Sequence, residues 1–179
     1  SAEMKKTMIL SGAAALVATG VAGADYTMTF EDFAAGAAEF TLMAEGGLVS
    51  GTLTGVTADF VLKEEGLGGL WADDLTVLIG GSAVQIGGFT DFGFVSNTSW
   101  GTGSSGAAGT AVVVNSLALS GGPVDVTGLD ISLGNGWDSA DSFGVWTGFI
   151  TLEGITVVPA PGAIALLGLG GLVARRRRG

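Results

Sequence analysis

The chain has 179 residues, 17 acidic side chains against seven basic ones, and neither cysteine nor histidine. Without histidine there is no Ser-His or Cys-His catalytic pair, and the commonest general base and zinc ligand are missing. Without cysteine, an exported domain has to stand on its core alone.

The N-terminus reads as an export signal. Met4-Lys5-Lys6-Thr7 supplies a positive start, and Ser1-Ala2-Glu3 reads as an upstream extension before it. Met8 to Val21 is an uncharged run of small and apolar residues, expected to be helical. Ala22 and Ala24 flank Gly23 at the small-residue positions that a signal peptidase reads, so cleavage is expected before Asp25. Residues 1–24 are therefore assigned as signal peptide and 25–157 as the working domain.

The working domain alternates with period two rather than 3.6, which predicts strands. Strands are expected at Tyr26–Glu31, Glu39–Ala44, Val56–Lys63, Asp74–Ile79, Ala83–Phe89, Thr110–Leu119, Leu129–Leu133 and Trp146–Glu153, about eight in all. Val56, Ala58, Phe60 and Leu62 share one face, and Trp146, Gly148, Ile150 and Leu152 share another. Gly-Gly pairs at 46–47, 68–69, 80–81, 87–88 and 121–122 mark the turns. Thr127-Gly128 breaks the alternation, so a bulge or bend is expected there. Only Phe33–Ala38 has helical character, and it is short and interrupted by glycine. The expected fold is an all-β antiparallel sandwich, jelly-roll-like.

The tail runs Val158-Pro159-Ala160-Pro161-Gly162, then an uncharged stretch to Ala174, then Arg175, Arg176, Arg177 and Arg178. A helix from Gly162 to Ala174 would span roughly 20 Å, or nearer 27 Å counted from Val157, against a hydrocarbon core of about 30 Å. The arginines would stop it at the inner face of the membrane. A short C-terminal transmembrane helix is therefore expected, with residues 158–179 forming the sorting segment. This order of parts resembles the PEP-CTERM sorting signal of Gram-negative and planctomycete-type bacteria. The resemblance covers about 22 residues, and Ala160 stands where that signal carries its glutamate. It implies processing by an exosortase after signal peptidase, with the membrane as a transient partner. The protein would finish on the cell envelope surface or outside the cell.

Of the acidic residues only Glu3 lies outside 25–158, and of the basic ones only Lys63 lies inside, which leaves that span with a net charge of −15. Nucleic acid and anionic lipid are excluded as its partners, because phosphate binding needs Lys and Arg. Trp71-Ala72-Asp73-Asp74-Leu75-Thr76-Val77 and Gly144-Val145-Trp146-Thr147-Gly148-Phe149-Ile150-Thr151-Leu152 resemble the paired strands of proprotein-convertase P-domains, which implies a jelly roll.

Candidate chemistry is sparse. Asp138 and Asp141 share a loop and Asp73 and Asp74 precede a strand, so calcium is one candidate ligand for loop carboxylates. Capped strand ends are the plainer reading, and no cofactor is expected. Trp71, Trp100 and Trp137 adjoin glycine-rich loops, and exposed indoles stack on sugar rings. Trp100 and Trp137 are the expected sugar contacts, whereas Trp146 belongs to a core-facing strand. The expected function is a non-enzymatic surface or extracellular-matrix protein, as in a biofilm. One alternative is a carbohydrate-binding module for exopolysaccharide, and another is a secreted hydrolase using a carboxylate pair.

Overall fold

The computed structural model describes residues 25–66 and 68–158. The expected signal helix with Ala22 and Ala24, and the sorting segment from Pro159 through Arg178, lie outside the described residues. Among those described, no helix is long and apolar enough to cross a membrane.

The chain folds as an all-β, sandwich-like pair of sheets. Its strands are β1 (Tyr26–Gly36), β2 (Phe40–Ala44), β3 (Val49–Glu65), β4 (Leu75–Ile79), β5 (Val84–Ile86), β6 (Ser96–Thr98), β7 (Ala111–Ala118), β8 (Val124–Asp125), β9 (Ile131–Asn135) and β10 (Phe143–Val157). The first sheet runs β1-β10-β3-β7, with β8 also on β3; the second runs β2-β9-β4-β5-β6. Every pairing is antiparallel except β5 with β6.

The alternation read from the sequence is what the sheets bury. Val56, Ala58, Phe60 and Leu62 of β3, and Trp146, Ile150 and Leu152 of β10, face Leu75, Val77 and Ile79 of β4 and Leu133 of β9 in one shared core. Phe60 meets Trp100 edge-on at 5.5 Å between ring centroids and packs against Phe30 at 6.2 Å. Such aromatic pairs add to the area that they remove from water.

Several boundaries differ from those expected. β1 runs on through the stretch with helical character, because a bulge at Glu31–Asp32 places two residues opposite Thr147 of β10. The extra residue shifts the alternation by one, so Phe33 points inward like Phe30. Asp32 takes the left-handed backbone, φ +49°, and receives the Thr147 hydroxyl on its carboxylate. Strands β6 and β8, three and two residues long, were not expected: neither is long enough to alternate. Thr127-Gly128 forms a turn closed by the Leu129 N–H on the Val126 carbonyl.

The two core tryptophans also pin the backbone. The Trp146 indole N–H donates to the Ala72 carbonyl at 3.1 Å, and that of Trp100 donates to the Leu75 carbonyl at 2.7 Å. Trp100→Phe and Trp146→Phe each remove a buried hydrogen bond and leave a gap in the core; the Ala72 carbonyl keeps the Leu75 N–H. Each is expected to cost about 2–4 kcal/mol, read as a lowered urea midpoint with an unchanged m-value.

Candidate functional site

One end of sheet 2 buries polar side chains on both of its faces. Thr76 of β4, Gln85 of β5 and Asn135 of β9 are all fully buried, although all three are polar. Gln85 and Asn135 each bond the loop that follows their strand, and the Thr76 hydroxyl donates to the Asp74 carbonyl. Gln85 Nε2 donates to the carbonyls of Gly87 and Thr90, and its Oε1 accepts the Phe92 N–H. Asn135 Oδ1 accepts the Trp137 N–H, and its Nδ2 donates to Ser142 Oγ. Thr76 lies where the two loops pass closest. A methyl group on Gly136 would overlap its hydroxyl, so only glycine lets the loop lie this low. The Thr90 hydroxyl then reaches Asp138 Oδ1 and joins one loop to the other.

These loops present Phe89 and Trp137, whose rings meet edge-on at 5.0 Å. The Trp137 indole N–H is fixed by the Gly68 carbonyl at 2.8 Å. A third aromatic, Trp71, comes from the segment entering β4. Trp71 is 45% exposed and Phe89 71% exposed. With Gly69 and Asp74 the three rings line a cleft of about 260 Å³. A larger hollow of about 490 Å³, lined in part by Phe40, Phe92 and Phe94, lies elsewhere on sheet 2. Its one carboxylate, Asp130, already accepts the Gly46 N–H.

Asp74 is the polar side chain of the cleft, and it is 4% exposed. Its Oδ2 accepts the Trp71 N–H at 2.7 Å. Burial pushes its carboxyl up to about 6; the Trp71 N–H opposes this, the charge of Asp73 adds to it, and the Phe89 N–H opposes it. Asp73 faces away and takes the Ser104 hydroxyl on Oδ2.

The two expected sugar contacts are not brought together. Trp137 lies in the cleft, but Trp100 does not: it is 2% exposed, with its ring against Phe60 and its indole N–H on Leu75. Its glycine-rich flank stays partly exposed, while Gly103 and Ser105 accept the N–H groups of Asp73 and Ala72. Trp71 and Phe89, which share the cleft with Trp137, were not among the expected contacts. The calcium candidates do not converge either. Asp138 bonds Thr90, Asp141 occupies a left-handed turn position at φ +67°, and Asp73 and Asp74 are engaged as above. Among the described residues no group of three or more His, Cys, Asp or Glu is placed to hold a metal ion. Val158, the one residue of the sorting segment that is described, donates its N–H to the Leu48 carbonyl.

No family model, curated protein or solved structure matches this chain.

The raised Asp74 carboxyl fixes a pH dependence. The folded protein holds this proton more tightly than the unfolded chain does. The contribution of the group to stability is therefore fullest below its unfolded value of 3.8 and is lost as pH rises through about 6. Asp74→Asn removes that loss. Between about pH 4 and pH 8 the variant should gain up to about 3 kcal/mol on the parent, measured by urea unfolding at both pH values.

Proposed function

We propose that this chain is a non-enzymatic exported protein of the cell surface or extracellular matrix, and that its sandwich binds polysaccharide. The observation behind the binding half is the convergence of Trp71, Phe89 and Trp137, from three separate segments, on one open cleft. A pyranose ring has an apolar C–H face, and indoles offer a flat partner that removes that face from water. The Trp137 ring is held by its indole N–H on the Gly68 carbonyl, and the main-chain N–H groups of Trp71 and Trp137 donate to the side chains of Asp74 and Asn135. A platform held in place before binding loses little side-chain entropy when a ligand arrives.

The hydrolase alternative has less support. Glycoside cleavage by a carboxylate pair needs a second carboxylate across the scissile bond. The lining residues supply Asp74 alone.

The finer fold reading is a jelly roll. The nested pairing of outer strands supports it: β1 with β10 in one sheet, β2 with β9 in the other, each then joined by β3 or β4. For export, the PEP-CTERM-like order of Val158 to Gly162 followed by the arginines supports processing by signal peptidase and exosortase at the inner membrane.

Binding is tested by titrating the full chain with oligosaccharides and following tryptophan fluorescence. Trp71→Ala and Trp137→Ala should each weaken binding by about tenfold or more. Absence of any sugar response would leave a structural surface role alone. Export is tested separately. Replacing Pro159 and Pro161, or the four arginines, should trap the precursor in the inner membrane; a variant that still reaches the cell exterior at normal size would refute the sorting half.

A further inference from the structure

Resting on that polysaccharide-binding reading, we propose that the sugar unit seated in the cleft is cationic: an unacetylated amino sugar whose ammonium group lies against Asp74 among the three aromatic rings.

The donor and acceptor inventory points this way. The lining residues are Gly69, Trp71, Asp74, Phe89 and Trp137. The Trp137 indole N–H is taken by Gly68, and the Trp71 main-chain N–H by Asp74. That leaves the Trp71 indole N–H as the one uncommitted side-chain donor, facing a ligand that brings several oxygens. A neutral or N-acetylated unit would seat hydroxyl or carbonyl oxygens with almost nothing to donate to them, a costly arrangement once water is excluded. An ammonium group brings donors and no acceptor, the complement of a site built from a carboxylate and π faces.

Charge points the same way. Among the described residues the single cation is Lys63, and its Nζ lies 3.5 Å from Asp32 rather than near the cleft. Asp74 is thus a buried carboxylate with no positive partner, which a ligand cation would compensate. The rings attract a cation through their negative faces. Beyond contact range, the net charge of −15 on residues 25–158 steers cations toward the domain.

The test is calorimetric titration of the full chain in mild detergent with three β-1,4-linked tetramers: glucosamine, N-acetylglucosamine and glucose. At about pH 6.5 and low salt the glucosamine tetramer should bind at least about tenfold tighter than the other two. Asp74→Asn should erase that preference while leaving the weak binding of the neutral tetramers. Phe89→Ala, at an exposed position that the fold does not need, should reduce the preference without altering the melting curve. Equal affinity for all three tetramers, each weakened by Trp71→Ala, would overturn the cationic assignment and leave the polysaccharide reading standing. Binding of none would overturn both. A glucosamine preference unchanged in both Asp74→Asn and Phe89→Ala would place it on the diffuse acidic surface and overturn the cleft assignment.

Discussion

Four consecutive backbone carbonyls, those of Ala72, Asp73, Asp74 and Leu75, hold this molecule together at the end that carries the aromatic cleft. They accept, in order, the Trp146 indole, the Gly88 N–H, the Gly136 N–H and the Trp100 indole. The donors come from β10, the loop after β5, the loop after β9 and the segment after β6. A buried carbonyl left without a partner costs about 1–3 kcal/mol, more than a typical bond contributes when made. The four bonds therefore act chiefly as constraints: moving the Gly88 or Trp100 donor strands an acceptor, whereas the Ala72 and Asp74 carbonyls keep a second donor in the Leu75 N–H and the Thr76 hydroxyl. From the other side, the Ala72 and Asp73 N–H groups donate to the carbonyls of Ser105 and Gly103. The turn that carries Trp71 and Asp74 has almost no freedom left.

That rigidity explains how a carboxylate as unfavourable as Asp74 persists. Buried beside a second aspartate, it opposes folding at neutral pH. The core offsets it. Two sheets close over a continuous cluster that includes Phe30, Phe60, Trp100 and Trp146, with no disulfide and with the single Lys63–Asp32 pair among the described residues as its ion pair. Exposed pairs of that kind contribute little. Stability here comes from packing, and part of it is given up at the one place where a charged group is held ready beneath aromatic rings.

Much of the fold was legible because period-two alternation is a local property of sequence. The inward faces of β3, β4 and β10 follow directly from it. Strand length was not legible, because the bulge at Glu31–Asp32 resets the alternation and hides the continuation of β1 through Phe33 and Ala35. The site was legible in part. Trp71, Trp100 and Trp137 have similar glycine-rich flanks, and nothing local separates them. What separates them is topology: the segment after Trp100 folds back so that Gly103 and Ser105 meet the Ala72–Asp73 backbone, which drives the ring inward. Phe89 sat at the end of an expected strand, where nothing local marks it as a loop residue. One signal was available. Gln85, polar within the apolar-rich run from Ala83 to Phe89, marks where a loop lies over the sheet rather than water.

Position along β10 links the site to the tail. Trp146, whose indole supports the cleft turn, lies near the start of this strand, and Val157 ends it. Eleven residues of extended chain cover about 36 Å, less with twist, so cleft and exit point sit at opposite ends of the first sheet. The described chain also enters at the exit end: Tyr26 pairs with Leu152, and the Asp25 carboxylate accepts the Gly154 N–H. Under the sorting reading, both processing points belong to one pole of the domain and the aromatic cleft to the other. A protein handed over by its Val158 end at a membrane would carry the cleft on its far side. Cleavage at either processing point then leaves the ring of contacts around Ala72–Leu75 untouched, because none of its donors lies near residues 25 or 158.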